Sequence, residues 1–328
     1  MKVLVTGGGS MLLGGVAAAL AARGDEVVCL QRRPIHVPDG VRQVQGDVRQ
    51  PDAVRSAAEG CDAILHGAAR VGVLGTWDDF RSVNVDGTSN VLAAARAAGV
   101  SRVVHVSTPS VAHSGHSLVG AGADAAVTGR KGAFYAESKA LAELLALAAN
   151  SPELAVVAIR PHLVWGPGDT QLVGRIVERA AAGRLVMVGD GSALVDTTYI
   201  DNAVSAHVAA LDAVRPGAVC AGSAYVVANG EPRTVRELVE GICRAAGVPF
   251  APREVPAGLA VRVGGLVERL WPRFRDGEPP ITRFVAEQLG TAHWFDPRPM
   301  RDDIGWRPHV TLDEGFELLR QSFARSAA

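Results

Sequence analysis

At 328 residues, with 48% hydrophobic residues, 37 glycines and a net charge of −1, the chain can bury a large core and suits one big α/β domain or a large and a small one. The balanced charge gives no reason to expect a nucleic-acid partner. Cys29, Cys61, Cys220 and Cys243 are scattered without a Cys-x-x-Cys pair, so neither a zinc site nor a disulfide framework is expected. No apolar run is long enough to span a bilayer, and Met1-Lys2-Val3-Leu4-Val5 begins a strand rather than a signal peptide. A cytoplasmic enzyme is the default expectation.

In chain order, Lys2 to Thr6 reads as a buried strand, Gly7-Gly8-Gly9-Ser10 as a glycine turn and Met11 to Arg23 as an apolar helix. Strand, turn and helix in that order open a dinucleotide-binding βαβ unit, whose glycines let backbone approach a pyrophosphate at the helix N-terminus. Gly7, Gly9, Ser10, Met11 and Leu12 are therefore candidate cofactor contacts. The loop is irregular: Ser10 and Leu13 stand where the usual fingerprint has glycines, and Gly14-Gly15 come one position late. A second strand, Glu26 to Gln31, ends in Gln31-Arg32-Arg33 where NAD-specific folds carry an acid for the ribose 2′-hydroxyl. Two guanidiniums without a carboxylate suit a 2′-phosphate, so NADP(H) is the expected cofactor.

A third strand, Arg42 to Gln45, leads to Asp47 and Val48. Asp47 is read either as an acceptor for the adenine amine or as the N-cap of the helix beginning near Pro51. A fourth strand, Ala63 to Leu65, runs into His66-Gly67-Ala68-Ala69, where Ala68 and Ala69 leave room for a ligand. One helix is expected over Asp79 to Ala98, carrying Asn84. The fifth strand, Arg102 to Val106, delivers Ser107 and Thr108, hydroxyls placed to donate to a substrate carbonyl. Residues 111–131 read as a loop, with His113 and His116 as surface side chains rather than metal ligands.

Tyr135 and Lys139 then stand four residues apart on a helix, hence on one face, where the ammonium favours the phenolate. A sixth strand, Ala155 to Ile159, leads into a loop containing Pro161, Leu163 and Val164 on the same edge. Beyond it the alternation loosens. A helix is expected over Leu172 to Ala182, strands near Arg184 to Val188 and Val195 to Ile200, and a helix capped by Asp201. Further helices are expected near Val235 to Ala246, Leu259 to Leu270 and Leu312 to Phe323. The expected fold is α/β: a Rossmann-type doubly wound parallel sheet over residues 1–168, with contributions returning from about 185–215, and a smaller C-terminal substrate lobe over 169–328.

These motifs at these intervals resemble the extended short-chain dehydrogenase/reductase family, in its 3β-hydroxysteroid dehydrogenase/isomerase-like branch. Within it, four stretches are similar to the bacterial 2-alkyl-3-oxoalkanoate reductases of olefin and β-lactone biosynthesis: residues 107–111, 160–169, 195–202 and 277–284. The resemblance implies Tyr135 as acid/base, Lys139 as its electrostatic partner and ribose contact, Thr108 as the third catalytic hydroxyl and Asn84 in the supporting network. Ser107, one register away, stays open as the hydroxyl. It also implies NADPH-dependent reduction of a long-chain apolar keto acid. The alternatives are a steroid or sterol dehydrogenase, a sugar-nucleotide epimerase or dehydratase, and a non-catalytic NADP-binding regulator.

Residues 256–274 carry Leu259, Val263, Leu266, Leu270 and Phe274 at helical spacing, flanked by Arg262, Arg269 and Arg273. Three readings stay open for this segment. It is a helix packed on the core, a lid that admits alkyl chains, or a docking face for a pathway enzyme or a membrane surface. A homodimer or an assembly with pathway enzymes fits the same expectation.

Overall fold

The computed structural model describes residues 1–72, 74–112, 116–129, 133–274 and 282–327. Seven strands build one parallel sheet. Strands β1 (Lys2–Thr6), β2 (Glu26–Gln31), β3 (Val41–Gln45), β4 (Ala63–His66) and β5 (Arg102–Val106) come from the first third of the chain. A short strand β6 (Leu118–Ala121) lies in the stretch expected as loop, and β7 (Ala155–Pro161) follows in the main sheet. Then come β8 (Val164–Trp165), β9 (Val186–Val188), β10 (Leu194–Val195), β11 (Thr198–Tyr199) and β12 (Ala224–Val227). The main sheet runs β12-β7-β5-β4-β1-β2-β3, so a strand from residues 224–227, absent from the sequence reading, forms one edge. Short strands β13 (Arg233–Thr234), β14 (Arg253–Val255) and β15 (His293–Phe295) complete small sheets apart from the main one, β13-β10-β15-β6 and β14-β9, beside the pair β11-β8.

Both faces of the main sheet are covered, as a parallel sheet requires. Val3, Val5, Val27, Cys29, Leu65, Val104 and Val157 face helix α1 (Met11–Ala22) on one side. Leu4, Val28, Leu30, Ile64, Val103 and Val156 face α2 (Pro51–Ala58) on the other. The expected helix over 79–98 is three pieces: α3 (Trp77–Phe80), a π-helical stretch Arg81–Asp86, and α4 (Gly87–Ala97). The widened π turn carries Asn84, an arrangement common where a helix serves a site. Helix α5 (Phe134–Ala148) carries Tyr135 and Lys139.

Helices α6 (Val173–Ala181), α8 (Val235–Ala246) and α11 (Leu312–Ala327) pack around Trp165, Met187, Tyr199, Leu238 and Ile242, whereas α7 (Ile200–Ala213) lies against the main-sheet core beside α1, and α9 (Ala257–Phe274) meets α10 (Arg283–Gly290) over Val188, Ala260 and Ala286. The expected strand at 195–200 is in fact β10 and β11, which pair in different sheets. Asp201 is not the cap of α7. Tyr199 is the cap residue, and Asp201 is exposed inside the first turn, where its charge still complements the helix dipole. In the tail, Trp306 is 7% exposed in the main core, donating to Ser205 Oγ at 3.0 Å. No helix among the described residues is long and apolar enough to cross a membrane.

Candidate active site

The carboxyl ends of β1, β4, β5 and β7 meet the starts of α1 and α5, so the site residues gather on one edge. The glycine turn is built for close approach. Gly7 has φ +83°, and a Cβ there would meet Ala68 N at 2.8 Å; one on Gly9 would meet Gln31 Nε2 at 2.8 Å. Ser10, placed where a glycine was expected, caps α1 by accepting from Leu13 N at 3.1 Å. Leu13, the other departure, is buried, and the space it needs comes from Gly67, where a Cβ would lie 2.9 Å from Leu13 Cδ2. Gly67, just past the end of β4, thus gives the room that a glycine at position 13 would have left.

Beside this turn lies an open cleft of about 560 Å³, lined by Gly8, Gly9, Ser10, Met11, Ile35, His36 and Pro38. A dinucleotide pyrophosphate fits there, over exposed glycine backbone at a capped helix N-terminus. Met11 lines the cleft, and Met11 and Leu12 both lie partly buried against the cores. The backbone after β2 is pinned: Gln43 Nε2 donates to Arg33 O at 2.9 Å and Gln45 Nε2 to Arg32 O at 3.2 Å. The Arg32 and Arg33 side chains stay exposed. Asp47 does not cap α2, whose cap residue is Gln50; its carboxylate instead holds Arg49, with Nη2 at 2.6 Å and the backbone N at 2.9 Å. Sequence reading missed Arg49, which adds a third guanidinium to this corner. Val48 is buried, with its carbonyl accepting from Asn90 Nδ2 at 2.9 Å.

At the catalytic end, Thr108 Oγ1 donates to Ser110 Oγ at 3.1 Å and accepts from Ser110 N at 3.3 Å, capping a 3₁₀ turn, Pro109–Val111. Burial pushes the Tyr135 phenol up to about 12, and a hydrogen-bonding interaction with the Thr108 side chain works the other way. Ser107 Oγ, by contrast, is buried without a hydrogen-bond partner among the described residues. Tyr135 and Thr108 are brought together, and Ser107 is left behind them. Lys139 is buried and donates from Nζ to Val106 O at 2.6 Å; burial draws its amine down to about 8, opposed by the charge of Glu143. The expected lowering of the phenol is therefore not seen: desolvation dominates, and the amine is turned to a carbonyl. A phenol kept up is protonated at neutral pH, the form a proton donor needs.

Asn84 is 1% exposed. Its Oδ1 accepts from Arg70 N at 2.7 Å, and Nδ2 donates to Arg70 O at 3.1 Å and to Ser138 Oγ at 2.9 Å. Ser138 in turn donates to Tyr135 O at 2.9 Å. Asn84 thus brackets the loop after β4 to the start of α5. Behind it runs a network the sequence reading did not find. Thr6 Oγ1 accepts from Gly67 N at 3.2 Å and Ala68 N at 3.1 Å and pairs with His66 Nδ1 at 2.7 Å. His66 Nε2 reaches Thr88 Oγ1 at 2.9 Å. Polar residues inside otherwise apolar strand ends were the signal. Ala68 and Ala69 lie half-buried at this junction.

On the far side, Pro161 ends β7 and Val164 opens β8. Between them, Leu163 holds a left-handed backbone (φ 39°), is 38% exposed, and accepts from Thr198 N at 3.3 Å. A leucine in that region is strained by roughly 1–3 kcal/mol, and such strain clusters at ligand-contacting positions. His116 is exposed, and His113 lies outside the described residues, as do 277–281 of the motif at 277–284.

A parallel sheet with a glycine turn over a helix N-terminus, and a tyrosine, lysine and threonine at its carboxyl edge, defines a nicotinamide-dependent oxidoreductase of the Rossmann class. Residues 32–255 match the 3-beta hydroxysteroid dehydrogenase/isomerase family, and the chain belongs to that family. It is 49% identical to the 2-alkyl-3-oxoalkanoate reductase of Stenotrophomonas maltophilia (strain K279a), across 99% of this chain and 100% of that one. It is 39% identical to the protein of the same name from Shewanella oneidensis, across 97% and 85%. Among solved structures, the Thermus thermophilus UDP-glucose 4-epimerase complex with NAD is similar, with a TM-score of 0.70 and 27% identity across 100% of both chains.

Proposed function

We propose that the protein reduces the 3-oxo group of a long-chain 2-alkyl-3-oxoalkanoate to the 3-hydroxy acid with NADPH, in olefin or β-lactone formation. The observation that carries this reading is the 49% identity, over its whole length, to a reductase of that name. The bound nicotinamide supplies the hydride. Tyr135 gives its proton to the developing alkoxide, and Thr108 Oγ1, set beside it, donates a second hydrogen bond there. Lys139 stabilises the phenolate left behind, exchanging its bond to Val106 O for this task and for the cofactor ribose. Oxidation of NADPH tested against 2-alkyl-3-oxo acids, steroids and UDP-sugars should single out the first class. Turnover of a sugar nucleotide in preference to the acid would sink the reading.

In this reading Arg32 and Arg33, exposed after β2 with Arg49 nearby, hold the 2′-phosphate, so NADPH should be preferred to NADH. Replacing Arg32 and Arg33 together with alanine should weaken NADPH binding by about 1–3 kcal/mol and leave NADH binding little changed. Equal use of both cofactors by the unaltered protein would reduce the arginines to surface charge.

Helix α9 turns Leu259 (52% exposed), Val263 (42%) and Leu266 (57%) outward, beside the exposed Arg262; the side chains at 268–270 and 272–274 are outside those described. In this reading the face greets the alkyl chains at the mouth of the site. Leu259→Glu with Leu266→Glu should then raise KM for long substrates well above that for short ones, with an unchanged melting temperature. A collapsed melting transition would make the helix ordinary core.

A further inference from the structure

A 3-oxo acid carries its carboxylate two carbons from the carbonyl to be reduced, so a cation that recognises it must lie close to the catalytic pair. Among the described residues, three cations bear on the end of the site that holds Tyr135. Arg160, 2% exposed, is neutralised by Glu143, with Nε to Oε2 at 2.8 Å and Nη2 to Oε1 at 2.5 Å. Lys139 is buried and bonded to Val106 O. Arg70 differs from both. Its side chain is 40% exposed, and its Nε is buried with no hydrogen-bond partner among the described residues.

The setting of Arg70 is built rather than incidental. Both its backbone groups are fixed by Asn84, which also reaches α5 through Ser138. Its guanidinium lies 5.2 Å over the Phe80 ring and donates from Nη2 to Leu74 O at 3.1 Å. Phe80 packs 6.5 Å from Phe134, the residue before Tyr135, and Trp77 packs on the same ring at 6.2 Å. Gly75 keeps the loop clear, since a Cβ there would meet Arg70 Nη2 at 2.7 Å. The nearest acid, Asp79, stands 3.8 Å away, with the same Oδ2 already accepting from Thr76 N at 2.8 Å in a capping box. The guanidinium is therefore held in place by an aromatic face and a carbonyl, with donors left over. That is the arrangement that recognises a planar carboxylate in two bonds.

Resting on the ketoreductase reading, we propose that Arg70 anchors the carboxylate of the 3-oxo acid and thereby selects acids over neutral ketones. Bidentate recognition then sets the carbonyl beside Tyr135 and Thr108, with the buried Phe80 ring backing the guanidinium.

Arg70→Gln should lower kcat/KM for a 2-alkyl-3-oxo acid about 10- to 100-fold, chiefly through KM, with Arg70→Lys recovering part of it. The methyl ester of the same acid should lose no more than about twofold in the same variant, as should NADPH affinity, since neither involves the anchor. Equal losses on acid and ester would overturn the assignment and make Arg70 a structural residue. Calorimetric binding of the 3-hydroxy acid to the protein loaded with NADP⁺ reads the anchor without turnover. Reduction of neither acid nor ester would refute the ketoreductase reading alone. The anchor then stands if binding of the hydroxy acid weakens in Arg70→Gln, and falls if it does not.

Discussion

Tyr135→Phe should lower kcat by at least about two decades while NADPH binds almost as before. The ring keeps its place at the start of α5, and only the proton donor and its interaction with Thr108 are lost. A loss this large follows because the alkoxide formed by hydride addition is a strong base and needs a proton as it forms. The neighbouring hydroxyls should rank behind it in a fixed order. Thr108→Ala should cost less than Tyr135→Phe but clearly more than Ser107→Ala. Ser107 Oγ is buried without a partner among the described residues, so its removal takes away an unsatisfied polar group and should leave stability unchanged or slightly raised. Steady-state rates paired with NADPH fluorescence titrations separate these cases. Near-normal turnover in Tyr135→Phe would end the assignment, and a larger loss in Ser107→Ala than in Thr108→Ala would move the donor role to Ser107.

The largest effect on stability should come from Glu143→Ala. Glu143 and Arg160 are 1% and 2% exposed and joined by two short bonds, while Arg160 Nη1 also donates to Asp124 O at 2.8 Å. Removing the carboxylate strands a guanidinium in the interior, for which about 3–5 kcal/mol is the usual cost. A fall in the melting midpoint on the order of 10 °C should accompany it. The pair itself is not the source of that figure. Glu143→Leu with Arg160→Met should recover most of the loss, because two apolar groups of similar volume leave nothing unpaired. Equilibrium denaturation of the three forms decides it, and a single variant losing under about 1 kcal/mol would show that water reaches the guanidinium. Arg160 also holds Asp124 O in the segment before Tyr135, so a displaced guanidinium should lower catalysis along with stability.

How much of this was legible depended on how each element earns its place. Strands β1, β2, β4, β5 and β7 announce themselves because a sheet covered on both faces demands unbroken apolar runs, such as Val3-Leu4-Val5 and Val103-Val104, whereas the edge strand β3 shows only Val41 and Val44 between polar residues. Strands of two or three residues, as at β10, β11 and β13, are too short to show any period, and their pairing is set by distant chain. The π turn at Asn84 was hidden for a similar reason: a shift in hydrogen-bond spacing leaves no mark on composition. Tyr135, Lys139 and Thr108 could be found from spacing and strand position. The environment that tunes them could not, because burial of the phenol and the turn of Lys139 toward Val106 O arise from tertiary packing. Thr6, His66 and Arg70 carried only weak signals, a polar residue at the end of a strand or loop. Their partners lie 60 and 14 positions away.

The edge strand at residues 224–227 bears on how the chain is made. As a nascent chain leaves the ribosome at about 5–20 residues per second, the first 168 residues emerge tens of seconds or less before the strand that completes their sheet. Until then β7 is an open edge with unpaired backbone groups, the classic template for unwanted pairing. The face that Met300 and Trp306 cover stays greasy for longer still. Synthesis and folding are thus out of step by design of the topology, and contacts so distant in sequence slow closure further. Production in a host should accordingly respond to slower translation and to holdase chaperones, and fragments ending before residue 306 should collect as insoluble material.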